Sequence, residues 1–275
     1  CRRLFGRADR SIQNRSEPIV KSAGIQISSN SEINLTPPIS LYWTGLYFPT
    51  HWLKRSAKIG SVDAPIEVWG WGETEEDAAS VADFRLAEAI KKSEANTTDW
   101  DAYGYGLGGK PLRERMLDAI SKDSNGMITA ALSLNRYGAL ILSTSDMMMI
   151  DIDFPLGETE HCKRDLIELT KSKLTQETDR SFLLFETACG LRAICTSQKD
   201  RPEDAATLSL MERVGADPLY VRLCREQKCF RSRLTPKPWR LEPPLELRKG
   251  DPTDAWISEH ERRSSAYGVC RSLGW

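Results

Sequence analysis

Met147-Met148-Met149-Ile150-Asp151-Ile152-Asp153-Phe154 is the stretch on which the fold of this chain turns. A period of two predicts a strand with Ile150 and Ile152 on one face and Asp151 and Asp153 on the other. Downstream, Leu166, Leu169, Thr170 and Leu174 follow helical spacing. Phe182 to Glu186 and Leu191 to Thr196 read as two strands around the Ala188-Cys189-Gly190 turn. Arg201-Pro202-Glu203 introduces a helix that Gly215 stops, and Pro218 opens another through Cys229. Phe230 to Leu234 is a short strand. Strand, helix, strand, strand, helices, strand is the order of a ferredoxin-like, RNA-recognition-motif-like βαββαβ core. The sequence therefore predicts an α+β protein with that core over residues 146–238.

Upstream, Met127 to Leu134 and Ala139 to Thr144 read as a hairpin joined through Asn135-Arg136-Tyr137-Gly138. Pro111 suits the first turn of a helix with an apolar face of Leu112, Met116, Leu117 and Ile120. Thr74 and Asp77 form a capping-box signal ahead of the stripe Ala78, Ala82, Leu86, Ala89 and Ile90. Trp69 and Trp71 fall on one strand face, where core packing competes with a base-stacking platform. Residues 41–145 are thus expected to be an α+β part with Trp-rich strands and two helices. Residues 1–40 read as a flexible basic and polar tail. Residues 239–275 read as a Pro- and Trp-containing extension that wraps onto the body, because Trp239, Trp256 and Trp275 call for burial.

Composition narrows the class. The chain has 275 residues, 40% hydrophobic and 28% charged, enough to bury a substantial core and ordinary for a globular protein. The longest apolar run, Ala139 to Ile152, is interrupted by Ser143, Ser145 and Asp146, so no membrane span is expected. Seven cysteines without a CxxC pair argue against a disulfide framework. Cys224 and Cys229 lack a nearby second pair to complete a zinc site. An intracellular, reducing compartment follows, with the cytoplasm as the expected one. Arg2, Arg3, Arg7, Arg10 and Arg15 against Asp9 give the opening stretch a transit-peptide character, which leaves organelle import as the alternative.

Net charge is −1, so any preference for an anionic partner must come from a local patch. Residues 222–240 supply one: Arg222, Arg225, Lys228, Arg231, Arg233, Lys237 and Arg240 against Glu226. Phosphate binding and structural pairing both suit it. Asp151 and Asp153 on one sheet face repel unless solvated, paired or bridged by a hard cation such as Mg²⁺ or Mn²⁺. Ion pairing with Arg192 or Arg233 is the structural alternative. Gly104-Tyr105-Gly106-Leu107-Gly108-Gly109-Lys110 matches a phosphate-loop spacing, but Pro111 stands where the hydroxyl residue belongs, so a loop capping the next helix is expected. His51, His161 and His260 stand in no nucleophile motif, which gives a hydrolase triad little basis.

An aspartate-x-aspartate pair on the first strand of a ferredoxin-like sheet resembles the first motif of the archaeo-eukaryotic primase and primase-polymerase family. That resemblance spans about ninety residues and implies nucleotidyl transfer with Asp151 and Asp153 as catalytic ligands of Mg²⁺ or Mn²⁺. It also implies a nucleotide or nucleic-acid partner, which Arg192, Arg225, Arg231, Arg233 and Lys237 would meet at phosphate. The family's histidine motif falls at Gly190-Leu191-Arg192, with arginine in its place, and Arg231-Ser232-Arg233 stands where a further acid is expected. The runs around Tyr137-Gly138, Gly190-Leu191-Arg192 and Arg233 to Trp239 also resemble a conserved hypothetical family that carries no activity with it. A non-catalytic nucleic-acid-binding or scaffold protein is the alternative.

Overall fold

The computed structural model describes residues 19–24, 37–38, 42–58, 65–94, 109–155, 157, 159–245, 253–266 and 270–274. Those residues form two compact units, one within Asn14–Arg115 and a second within Met116–Trp275. The arginine-bearing opening stretch, Gly104 to Gly108 of the glycine-rich loop, and Trp275 lie outside the described residues.

In the first unit, β1 (Ile19–Gly24) pairs in parallel with β2 (His51–Ala57), and β2 pairs antiparallel with β3 (Ile66–Gly72). The stretch read as a tail thus contains a strand. Helix α1 (Glu75–Glu94) covers β2 and β3. It starts as the sequence predicts: Asp77 N–H donates to Thr74 Oγ1 at 3.1 Å and Thr74 N–H to Asp77 Oδ2 at 3.3 Å.

Its close seating depends on Gly70 and Gly72. A Cβ on Gly70 would lie 2.1 Å from the Ala78 carbonyl oxygen and 2.3 Å from the Ala82 nitrogen. Trp52 and Trp71, directly opposed in the ladder, are buried with Trp43 and Val81, so they serve the core. Arg85 is buried too, its guanidinium 4.7 Å from the Trp71 ring centre and donating to the Gly109 carbonyl at 2.9 Å. Burial pulls its pKa down to about 10, which still leaves it charged at neutral pH.

The segment after Pro111 is a strand, β4 (Arg115–Lys122), and not the helix expected from Leu112, Met116, Leu117 and Ile120. Turn chemistry overrides the apolar spacing here. The Asp123 carboxylate accepts from Asn125 N and Met127 N at 2.9 Å each, and Gly126 takes φ +80°. The tight turn so formed folds β4 back on β5 (Ile128–Leu134).

In the second unit, β5 pairs with β6 (Leu140–Thr144), and β6 with β10 (Phe230–Arg233), giving the antiparallel order β10-β6-β5-β4. A second antiparallel sheet runs β11-β8-β9-β7, with β7 at Met149–Asp153, β8 at Phe182–Thr187, β9 at Gly190–Cys195 and β11 at Cys270–Ser272. Helices α2 (Glu160–Gln176), α3 (Ala205–Val214) and α4 (Pro218–Gln227) contribute to one core. That core joins Leu142 and Phe230 of the first sheet to Ile150, Ile152, Leu184, Leu191 and Ala193 of the second, with Leu174, Leu210 and Val221 from the helices. The architecture is α+β with antiparallel sheets in this unit. Among the described residues no helix is long and apolar enough to cross a membrane.

The strand expected to close the β7 sheet, β10, hydrogen-bonds to β6 instead. The first turns of α4 occupy the free edge of β7. Asp217 N–H donates to the Asp151 carbonyl at 2.8 Å, and the Tyr220 hydroxyl donates to the Met149 carbonyl at 3.0 Å. The same hydroxyl accepts from Arg231 N–H at 3.2 Å. One phenol thus stands between β7 and β10 where a ladder bond would otherwise run. Burial pushes its pKa well up, so it remains a neutral donor and acceptor.

Candidate functional site

The chemistry-bearing residues gather at the end of β7, the β8–β9 turn and the segment that follows β10. Asp151 lies opposite Arg192 in the β7–β9 ladder, and Asp153 opposite Gly190. Glycine at position 190 permits that register: a Cβ there would sit 2.0 Å from the Ile152 carbonyl oxygen. Arg192 is buried; its Nη2 meets Asp151 Oδ1 at 2.8 Å and its Nη1 donates to Ser232 Oγ at 2.9 Å. The ion-pair alternative is therefore what the structure shows for Asp151, with Arg192 as the partner.

Asp153 is exposed, and its side chain forms no hydrogen bond or ion pair among the described residues. Its pKa is raised, first by partial burial and then by the charges of Asp151 and Asp217, with Lys237 opposing them. Asp217 is occupied as the cap of α4, accepting from Leu219 N at 3.2 Å and Tyr220 N at 3.1 Å. Among the described residues no group of three or more His, Cys, Asp or Glu side chains is placed to hold a metal ion.

The cations are more crowded than the carboxylates. Arg233 is half-buried, its Nε has no hydrogen-bond partner, and its guanidinium makes no ion pair among the described residues. Its pKa is lowered, first by burial and then by Arg192, with Arg240 and Arg231 adding to the effect against Asp151. The Lys237 pKa is lowered for the same reasons: burial, then Arg233 and Arg240. Arg240 Nη2 lies 3.0 Å from the Cys189 sulfur at the β8–β9 turn.

The segment carrying Lys237 and Arg240 is anchored at several points. Leu234 N–H donates to the Leu140 carbonyl at 2.7 Å, Leu140 N–H to Thr235 Oγ1 at 2.9 Å, and Arg240 N–H closes a 3-10 turn on Lys237. His260, from α5 (Asp254–Ser264), holds the Pro236 carbonyl at 3.1 Å.

Of the residues expected to meet phosphate, the structure brings together Arg192, Arg233 and Lys237. Arg231 lies beside them on β10, with Nη1 3.3 Å from Gln227 Oε1. Arg225 stands apart: it is exposed on α4 and paired with Glu226 at 3.0 Å. Arg240 belongs to the cluster and was signalled by the same basic run. Cys189 and Ser232 carried no signal, because only the fold brings a turn residue and a strand hydroxyl to the arginines.

No protein-family model, curated protein or solved structure matches this chain.

Proposed function

We propose that this protein binds the phosphate groups of a nucleotide or nucleic acid at the cluster of Arg192, Arg233, Lys237 and Arg240. The observation that carries this reading is Arg233, a half-buried guanidinium without an ion-pair partner among the described residues, crowded by other guanidiniums. Holding an unneutralised charge out of water is costly, and like charges nearby add to the cost. A phosphate offset by Arg233 and Lys237 removes both penalties, and guanidinium forks match its oxygens. The β7-α2-β8-β9 succession supports a ferredoxin-like kinship of the core and hence the likeness to primase-type proteins, while the pairing of β10 with β6 departs from it. Arg192 stands where that family has histidine, already engaged with Asp151, and this favours the non-catalytic form of the reading.

Binding of a fluorescent single-stranded oligonucleotide to the full chain, followed across a salt series, tests the proposal. Affinity should fall steeply with salt. Arg233→Ala and Lys237→Ala should each weaken binding and flatten the salt dependence by about one phosphate contact. No binding of nucleotide or oligonucleotide at low salt would overturn it.

The raised carboxyl of Asp153 favours a second reading, in which Asp153 and the uncommitted oxygen of Asp151 take Mg²⁺ or Mn²⁺ together with ligand phosphate oxygens. The ion would supply charge neutralisation at the bound phosphate.

A further inference from the structure

Two aromatic rings flank the cation cluster without being used by the fold's core. Trp239 is 42% exposed and Tyr137 41% exposed. Their ring centres lie 5.4 Å apart at an interplanar angle of 85°. Exposure at Trp239 departs from the burial expected of the tryptophans in the C-terminal extension. Trp256, by contrast, packs over Gly138, where a Cβ would meet its ring at 2.0 Å. Trp239 lies in the 3-10 turn Pro238–Arg240, whose neighbours Pro238 and Leu241 are buried. Tyr137 lies in the β5–β6 turn, where Asn135 Oδ1 accepts from Tyr137 N at 2.9 Å and Ala139 N at 3.0 Å. Both rings are therefore displayed from rigid backbone.

Lys237 joins the aromatic pair to the phosphate cluster. Its ammonium lies 5.5 Å from the Trp239 ring centre and within the field of Arg233 and Arg240. Exposed aromatics beside a cationic track are the two components of recognition that reads a nucleotide by its base face as well as its phosphate. A purely structural hairpin clasp would not require a lysine and two arginines on the same flank.

Building on the phosphate reading, we propose that Trp239 and Tyr137 form a stacking platform for a nucleobase whose phosphate is held by Lys237 and Arg233. The ligand class is thus a nucleotide unit with an unpaired base, either free or within a single strand. Duplex DNA, whose bases are stacked on one another, is not the ligand.

The test compares a fluorescein-labelled twelve-residue thymidine oligonucleotide with an abasic strand of the same length, bound to the full chain and followed by anisotropy. The wild type should bind the base-bearing strand about tenfold more tightly than the abasic one. Trp239→Ala should abolish that preference, bringing the base-bearing strand to the affinity of the abasic one, and Trp239→Phe should restore part of it. Because Trp239 is exposed, its substitution leaves the core intact, and circular dichroism checks this.

Equal affinity of the wild type for both strands, or a preference that survives in Trp239→Ala, overturns the platform and leaves the phosphate reading standing. No binding of either strand overturns both. Competition by thymidine triphosphate separates the two sources: displacement assigns the platform to a free nucleotide, and no displacement assigns it to a strand. The abasic comparison alone decides whether the base stacks.

Discussion

Asp151 and Arg192 are directly opposed in the β7–β9 ladder, and their side chains meet at 2.8 Å with the arginine buried. Removing the acid strands a buried guanidinium, left with Ser232 Oγ at 2.9 Å and the Arg233 carbonyl at 3.5 Å as acceptors. Breaking a buried pair from one side costs more than the pair contributes when intact. Asp151 keeps about a third of its side chain in water, which moderates the effect. Asp151→Ala should lower stability by about 1–3 kcal/mol in urea unfolding. Replacing both residues, Asp151→Leu with Arg192→Met, should recover most of the loss. A double variant as unstable as the sum of the singles would show that the two side chains do not act as a pair.

Two glycines set the spacing on which the rest depends. Gly70→Ala would drive a methyl group into the α1 backbone, and Gly190→Ala into the Ile152 carbonyl. Backbone cannot rotate away as a side chain can, so each change should cost about 3 kcal/mol. Gly190→Ala should also weaken ligand binding, because it pushes Arg192 away from Asp151, while Gly70→Ala should leave the affinity of the folded fraction unchanged. Chemical denaturation alongside oligonucleotide titration distinguishes the two.

The Tyr220 hydroxyl serves the Met149 carbonyl and the Arg231 backbone between two strands that share no ladder bond. Tyr220→Phe keeps the ring and deletes the bridge, leaving buried backbone groups short of a partner. A loss of about 1–3 kcal/mol is expected, with faster amide exchange at Arg231. Unchanged exchange there would show that β7 and β10 are held together by packing alone.

Much of this architecture was legible because local signals and tertiary demands agree. Ile150 and Ile152 alternate with two aspartates, Asp217-Pro218 opens α4, and Thr74 with Asp77 caps α1; each signal acts within a few residues. The failures came where a neighbouring turn or a distant residue overrides the local period. Leu112 to Ile120 has helical spacing, yet Asp123 and Gly126 fold the segment back as β4. Nothing near Phe230 reveals that its strand joins β6, since that choice depends on α4 occupying the edge of β7.

At the site, the acidic pair, the basic run and a pairing of the acids with Arg192 or Arg233 were readable, but the choice of Arg192 for Asp151 was not. Arg192 reaches Asp151 only because Gly190 lets β9 close on β7. Trp239 illustrates the limit in the other direction: hydrophobicity argued for burial, while the anchored turn around Pro238 displays the ring.

His260 is 1% exposed, stacked on Trp256 with ring centres 5.2 Å apart, and bound to the Pro236 carbonyl. Burial outweighs its carbonyl contacts and lowers its pKa below the ordinary value. The unfolded chain therefore binds a proton near pH 6.5 that the folded chain refuses. The stability supplied by the neutral ring is complete above that pH and is lost as pH falls toward the lower folded value. Urea midpoints should drop through this window in the wild type, and His260→Gln should flatten that part of the profile. An identical slope in the variant would assign the acid sensitivity elsewhere.

Asp153 gives the opposite sign. Its folded pKa is raised by partial burial and by the charges of Asp151 and Asp217, so between its unfolded value and the raised one the folded chain holds more protons. Stability consequently falls as pH rises through that window, and the deficit is present in full at neutral pH. Asp153→Asn should therefore be more stable than the wild type at pH 7, with the difference shrinking as pH falls from the raised value toward the unfolded carboxyl value of about 3.9, and gone below it. Divalent ions sharpen the comparison. If Asp153 takes Mg²⁺ beside a bound phosphate, adding Mg²⁺ together with a nucleoside triphosphate should raise the wild-type melting temperature more than either does alone. Asp153→Asn should lose that cooperative increment while retaining the effect of the triphosphate. The same increment in both proteins would remove Asp153 from any metal role and leave phosphate capture by Arg233 and Lys237 as the function of the site.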